Sequence, residues 1–207
     1  MRHIGPKNRL ARREGIDLGL KTVGTKSHAN LLKKINIPPG QHGTGGRIKK
    51  LSERGKQLRE AQKLKYIFGL SSKQLKKYFT FAVKKTGNTG LFMSQFLEKR
   101  LDNIVYRLGF APTRAAARQL ICHKHMKVND KRTGIPSMQL RIGDVVTFVD
   151  EASQKIPAIE KALSNKDVIN ASWIERKANA GKLIAEPTAE LIEKQIILRL
   201  VIEYFSR

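Results

Sequence analysis

The segment Thr113-Arg114-Ala115-Ala116-Ala117-Arg118-Gln119-Leu120 carries the most legible chemistry in this 207-residue chain. In a helix, Arg114 and Arg118 stand four apart on one face. Ala115, Ala116 and Ala117 keep side-chain bulk low, so the backbone can lie close to an anion. Thr113 is of a type that caps a helix N-terminus, where unpaired N–H groups favour negative charge. A guanidinium can bond phosphate through two parallel N–H groups, which an ammonium cannot do. His123, Lys124 and Lys127 extend the same surface, and Arg100 and Arg107, two helical turns apart, add guanidiniums on one side of the preceding helix. The plain alternative is an ordinary solvated cationic face. Against it, no acidic residue lies between Arg107 and Asp130 to pair with these groups locally.

Other constellations do less. Cys122-His123-Lys124-His125 offers three ligand-type side chains in four residues, but a closed zinc site takes four and no second cluster follows. Cys122 reads instead as a buried structural residue. Cys122 and His123 diverge as helix neighbours and make no nucleophile pair. Gly40 to Gly45 and Gly19 to Gly24 have the first spacing of a phosphate loop. Gly46-Arg47 follows in one and Thr25-Lys26 in the other, where Lys then Ser or Thr is required. No paired carboxylates fall in a plausible pocket. The residues therefore point to a binding protein with no enzyme activity, metal, cofactor or small-molecule substrate.

Several elements must hold these residues. Residues 1–50 read as mostly irregular, broken by Gly5-Pro6, Gly15, Gly19, Gly24 and Pro38-Pro39-Gly40-Gln41-His42-Gly43. Ser52 opens a helix with the stripe Leu58, Ala61, Leu64, Ile67 and Phe68, which Gly69 stops. Ser71 with Gln74 forms a capping-box pattern ahead of Leu75, Tyr78, Phe79, Ala82 and Val83. Lys56, Arg59, Lys63, Lys73, Lys76, Lys77 and Lys84 occupy the opposite faces. Residues 91–108 repeat the helical pattern. After the helix from Thr113 to about His123 the period shortens towards 2. Strands are expected at 126–129, 138–141 and 145–149, with Asn129-Asp130 a tight turn. A short helix is expected near 156–163, and the apolar run 196–202 reads as a strand.

Forty-one Lys and Arg against seventeen Asp and Glu leave a net charge of +24, of which +19 lies before residue 101. Apolar residues make up 40%, enough for a folded core. The chain has one cysteine and hence no internal disulfide. No apolar run approaches the ~18 residues of a membrane span, and Met1-Arg2-His3-Ile4-Gly5-Pro6 lacks the apolar region of a secretory signal. A membrane-surface binder concentrates its basic residues on one amphipathic helix. Here they run through loops and several helices, which suits a branched polyanion, nucleic acid first. Aromatics are 6% and mostly fall on core stripes, so phosphate contact is expected to outweigh base stacking.

Arg100-Leu101-Asp102-Asn103-Ile104-Val105-Tyr106-Arg107-Leu108-Gly109-Phe110, with Thr113 to Leu120 and Val128-Asn129, resembles the small RNA-binding domain of the ribosomal protein S-four family. This is the fourth protein of the small ribosomal subunit. Pro38 to Gly43, Gln57 to Lys63 with Tyr66 and Gly69, and Asn88-Thr89-Gly90 resemble the ribosomal protein alone. Two departures stand out. The first forty residues have no cysteine, and Asn8 stands where zinc-binding members place a first ligand, so the zinc-free form is expected. His125 and Asn129-Asp130 replace a glycine before the first strand and an Asn-Gly turn.

The resemblance implies an α+β protein: a basic N-terminal extension (1–43), a helical domain (44–90, completed by 165–207) and an inserted helix-helix-sheet RNA-binding domain (91–164). It implies a primary binder of small-subunit ribosomal RNA that recognises a multi-helix junction early in assembly and touches neighbouring ribosomal proteins. It also implies a position near where messenger RNA enters and an influence on decoding accuracy. Some members also repress their own message. Cytoplasmic, ribosome-bound localisation follows, an organellar ribosome being the alternative. Arg47, Lys49, Lys50, Arg59 and Lys63 join Arg100, Arg107, Thr113, Arg114, Arg118, His123 and Lys124 as the expected RNA contacts. Two rivals carry the same small domain. An RNA-modifying enzyme such as a pseudouridine synthase needs a catalytic domain for which residues 150–207 leave no room. A transient assembly or stress factor does not call for the long basic extension.

Overall fold

The computed structural model describes residues 5–41, 43, 45, 50–164, 171–193 and 195–206. The chain divides into two units, one of Met1–Met93 with Ala189–Arg207 and the other of Ser94–Thr188.

The first unit is helical. The stretch read as mostly irregular holds two helices, α1 (Lys7–Glu14) and α2 (Lys26–Lys33). They bury Leu10, Ala11 and Leu31, too few apolar positions for periodicity to show. Side-chain bonds to backbone do much of the rest. Arg12 donates to the carbonyls of Ile37 (2.9 Å) and Pro38 (3.1 Å), Thr25 Oγ1 caps α2, and His28 Nε2 meets Asp17 Oδ2 at 2.8 Å. Helix α3 (Glu53–Ile67) starts at Ser52, whose Oγ accepts from the Gly55 N–H. It stops at Gly69, whose positive φ of 60° lets the chain turn back while the Gly69 and Leu70 N–H groups satisfy the carbonyls of Tyr66 and Lys65. Ser71 and Gln74 form the expected capping box of α4 (Ser72–Val83). Leu75 and Ala82 are buried, whereas Leu58 of α3 and Val83 fall outside their stripes and are exposed. Asn88 Oδ1 accepts from the Gly90 and Leu91 N–H groups at the start of α5 (Thr89–Glu98), within which the two units meet along the chain.

The second unit continues with α6 (Leu101–Arg107), α7 (Arg114–Cys122), strands β1 (Met126–Val128), β2 (Lys131–Thr133) and β3 (Val145–Phe148), helices α8 (Glu151–Gln154) and α9 (Pro157–Ser164), and strands β4 (Ile174–Lys177) and β5 (Ala180–Leu183). The sheet is antiparallel in the order β2-β1-β3-β5-β4. Asn129 and Asp130 both have positive φ, the signature of a two-residue hairpin turn. Such a turn obliges the next residues to pair back, so Val128 faces Lys131 and the second strand is Lys131–Thr133. The run 138–141, expected as that strand, makes only an isolated bridge between Gln139 and Arg100. Strands β4 and β5 were not anticipated. They extend the sheet beyond β3, placing residues 171–188 in this unit rather than in the helical one. Gly181 permits the closest approach of sheet to helix: a Cβ there would lie 2.3 Å from Leu108 Cδ1. Phe110 and Phe148 pack with ring centroids 4.9 Å apart.

The chain returns to the first unit with α10 (Glu190–Glu193) and α11 (Leu198–Phe205). The run expected as a strand is therefore a helix. Leu198 and Val201, three apart, are buried, and Ile197 is exposed. The decision comes from α3: Gln57 Nε2 donates to Glu203 Oε2 (2.9 Å), and Glu60 Oε2 accepts from the Ile197 N–H (3.1 Å).

Candidate nucleic-acid interface

Helices α6 and α7, with the end of α5, hold an unusual buried polar cluster. Glu98 is 0% exposed, Asn103 0% and Asp102 2%, a level of burial that charged residues tolerate only when paired. Glu98 accepts from Arg107 through both oxygens (2.8 and 3.2 Å) and from Asn103 Nδ2 (2.6 Å). Asn103 Oδ1 in turn accepts from Arg114 Nε at 2.8 Å. Asp102 takes a two-pronged contact from Arg100 (3.0 and 2.7 Å) and a further bond from Arg118 Nε (3.0 Å). The Arg114 guanidinium stands 4.5 Å from the centre of the Tyr106 ring. Thr113 caps α7 as expected, its Oγ1 accepting from the Ala116 N–H at 3.2 Å.

Within this cluster four guanidiniums face two carboxylates. Burial, with the charge of Arg107 adding to it, pulls Arg114 down to about 10. It remains cationic at neutral pH. Arg114 and Arg118 are the part-exposed members of the cluster.

The expected contact residues fare unequally. Arg114 and Arg118 share one network with Arg100 and Arg107, which the spacing places on one side of their helix. Arg100 is 3% and Arg107 8% exposed, held inside by Asp102 and Glu98, so these two expected contacts lie beneath the surface. His123 ends α7 and is exposed, as is Lys124. Lys124 has φ 62°, the left-handed position after the helix, with the His125 N–H bonded back to the Leu120 carbonyl. Cys122, expected to be buried, is exposed because the last turn of α7 directs it outward. The hairpin adds Lys131 and Arg132, both exposed; Arg132 lies 3.5 Å from Asp150, itself open to solvent.

In the helical unit, Arg47 and Lys49 lie outside the described residues and Lys50 is exposed. Arg59 bonds Glu14 at 3.1 Å and the Arg13 carbonyl at 3.3 Å, and Lys63 bonds Glu60 at 2.6 Å. Burial pushes the Glu14 carboxyl above its ordinary value, with Arg59 opposing. Both cations are thus answered by acids within the fold. Asp102 pairs with nearby arginines, as its place beside Arg100 suggests, while Asn103 and Tyr106 are organising residues that spacing does not reveal. Among the described residues no group of three or more His, Cys, Asp or Glu could hold a metal ion, and no helix is long and apolar enough to cross a membrane.

A helical unit joined to a compact α6–α7–sheet unit with a guanidinium-rich face is the form of a nucleic-acid-binding protein. Residues 2–98 match the ribosomal protein S4/S9 N-terminal domain, and residues 99–146 match the S4 domain. Relatives named small ribosomal subunit protein uS4 include one from Aquifex aeolicus, 45% identical, one from Herpetosiphon aurantiacus, 39% identical, and one from Francisella tularensis subsp. holarctica, 41% identical. Each alignment covers 100% of this chain and 99% of the relative. The chain belongs to the uS4 family of small-subunit ribosomal proteins. That is a family of ribosomal proteins rather than of enzymes, and the chain is not an enzyme.

Proposed function

We propose that this protein is a structural constituent of the small ribosomal subunit that binds ribosomal RNA where several duplexes converge, and that it nucleates assembly there. The single observation that carries the reading is the α6–α7 cluster, where three guanidiniums share two carboxylates, a fourth is held by Asn103, and two of the four reach the surface. A junction presents phosphates at several angles, and RNA duplexes offer side chains shape and backbone rather than readable major-groove edges. Arg118 and Arg114 are pre-oriented by Asp102 and Asn103, so little side-chain freedom is lost when a phosphate arrives. Lys124, Lys131 and the N-terminus of α7 add charge around them. Contacts with neighbouring small-subunit proteins, and an influence on decoding accuracy near incoming messenger RNA, belong to the same reading, as does a cytoplasmic, ribosome-bound location. The relatives match along their whole length, which supports a resident constituent over a transient factor.

The test is equilibrium binding of the full chain to a small-subunit junction RNA across a range of salt. The log–log slope is expected to be several units. Arg114→Ala and Arg118→Ala are each expected to weaken binding while leaving the protein folded. A flat salt response, or full affinity in both variants, would overturn the proposal.

A further inference from the structure

We infer that the outer face of α4 is a binding platform for single-stranded RNA, with Phe81 stacking an unpaired base and Lys73, Lys77 and Lys84 holding the flanking phosphates. The inference rests on the RNA-binding reading above but concerns residues outside the contacts assigned to α6, α7 and α3. Leu75 and Ala82 face the core, which fixes the rotation of α4. At 3.6 residues per turn, Lys73, Lys77, Thr80 and Lys84 then form one outward stripe, with Lys76 and Phe81 on its two flanks. All six are exposed. No Asp or Glu occurs between Glu60 and Glu98, so no neighbour along this stretch of chain answers the stripe.

Phe81 is 41% exposed at the edge of this cationic stripe, and the Lys77 ammonium stands 5.6 Å from its ring centre. Along the helix axis the Cα of Phe81 lies about 6 Å from that of Lys77 and about 4.5 Å from that of Lys84. An apolar protein surface seated on Phe81 would have to strip water from these ammonium groups without compensation. A nucleotide offers both partners at once: a base for the ring and phosphates for the lysines. The lysines are flexible and suit a strand whose backbone path varies, in contrast to the locked guanidiniums of the α6–α7 cluster.

The experiment compares the full chain with Phe81→Ala, Phe81→Leu and the triple variant Lys73→Gln/Lys77→Gln/Lys84→Gln. The probes are a single-stranded RNA of about a dozen nucleotides and a duplex of equal length. Phe81→Ala is expected to weaken single-strand binding about tenfold and to leave duplex binding unchanged. Phe81→Leu, which keeps an apolar surface but loses the ring face, is expected to match Phe81→Ala. The triple variant should lower the single-strand salt slope by about 2. Phe81→Trp fluorescence should be quenched by the single strand, a readout independent of stability. Parental affinity in Phe81→Ala, retention of binding in Phe81→Leu, equal losses on duplex, or unchanged Trp emission would each overturn the assignment. If these variants behave like the parent while Arg118→Ala still weakens junction binding, the platform fails and the RNA reading stands. If the parent binds neither RNA in a salt-dependent way, the RNA reading itself fails.

Discussion

Replacing Asp102 by Asn separates two accounts of the α6–α7 cluster, because they predict opposite signs for RNA affinity. The substitution raises the net charge by one from +24. If Asp102 were only one more charge near a polyanion, a separation of about 10 Å in water corresponds to roughly 0.4 kcal/mol, a gain of about twofold in affinity. The geometry says otherwise. Asp102 is buried and holds Arg100 through two bonds and Arg118 through Nε. Without its charge Arg118 is no longer aimed. Loss of one well-placed charged contact to phosphate is worth about 1.5 kcal/mol, a weakening of about tenfold. Stability falls as well, since Arg100 is left buried without its counter-charge, by about 3 kcal/mol. For a unit of this size that lowers the melting temperature by roughly 12–24 °C. The assay is therefore junction-RNA binding well below the variant's own melting transition, with circular dichroism recorded on the same sample. Binding by a folded Asp102→Asn protein as tight as the parent's, or tighter, would refute the view that Asp102 positions a phosphate contact.

Lys124→Gly removes a side chain from a left-handed backbone position and is expected to raise stability by about 1 kcal/mol in urea titration while weakening RNA binding. Gly181→Ala drives a Cβ into Leu108 and is expected to cost about 2 kcal/mol, seen as an earlier unfolding midpoint. Glu14 is held more readily protonated in the folded state than in the unfolded chain. The folded state therefore binds the extra proton, and this group's contribution to stability falls as pH rises from about 4.5 through its raised value. Glu14→Gln is accordingly expected to gain stability relative to the parent at pH 7 compared with pH 4, read from paired denaturation curves.

Much of the helical architecture was legible because its signals are local. Ser52, Ser71 and Thr113 cap the helices they were expected to cap, and Gly69 ends α3, since a hydroxyl or a missing Cβ acts on its own few residues. The two-residue turn at Asn129-Asp130 was equally local, yet its partner strand was sought too far along at 138–141. Strands β4 and β5 escaped notice because each is four residues long and their alternation is weak until β3 supplies an edge. The run 196–202 is apolar and β-branched, compatible with either state. Only the surface of α3, with Gln57 and Glu60 presenting hydrogen-bonding groups, selects the helix.

The interface divides in the same way. Composition and spacing alone established a strongly cationic chain, with most of the excess before residue 101 and four guanidiniums spaced through residues 100–118, because charge is a property of residues wherever the fold puts them. Which of those guanidiniums face inward was decided by tertiary structure. Burial makes an unpaired charge so costly that Arg100 and Arg107 are drawn onto Asp102 and Glu98, while Arg118, also on Asp102, and Arg114, on Asn103, stay partly exposed.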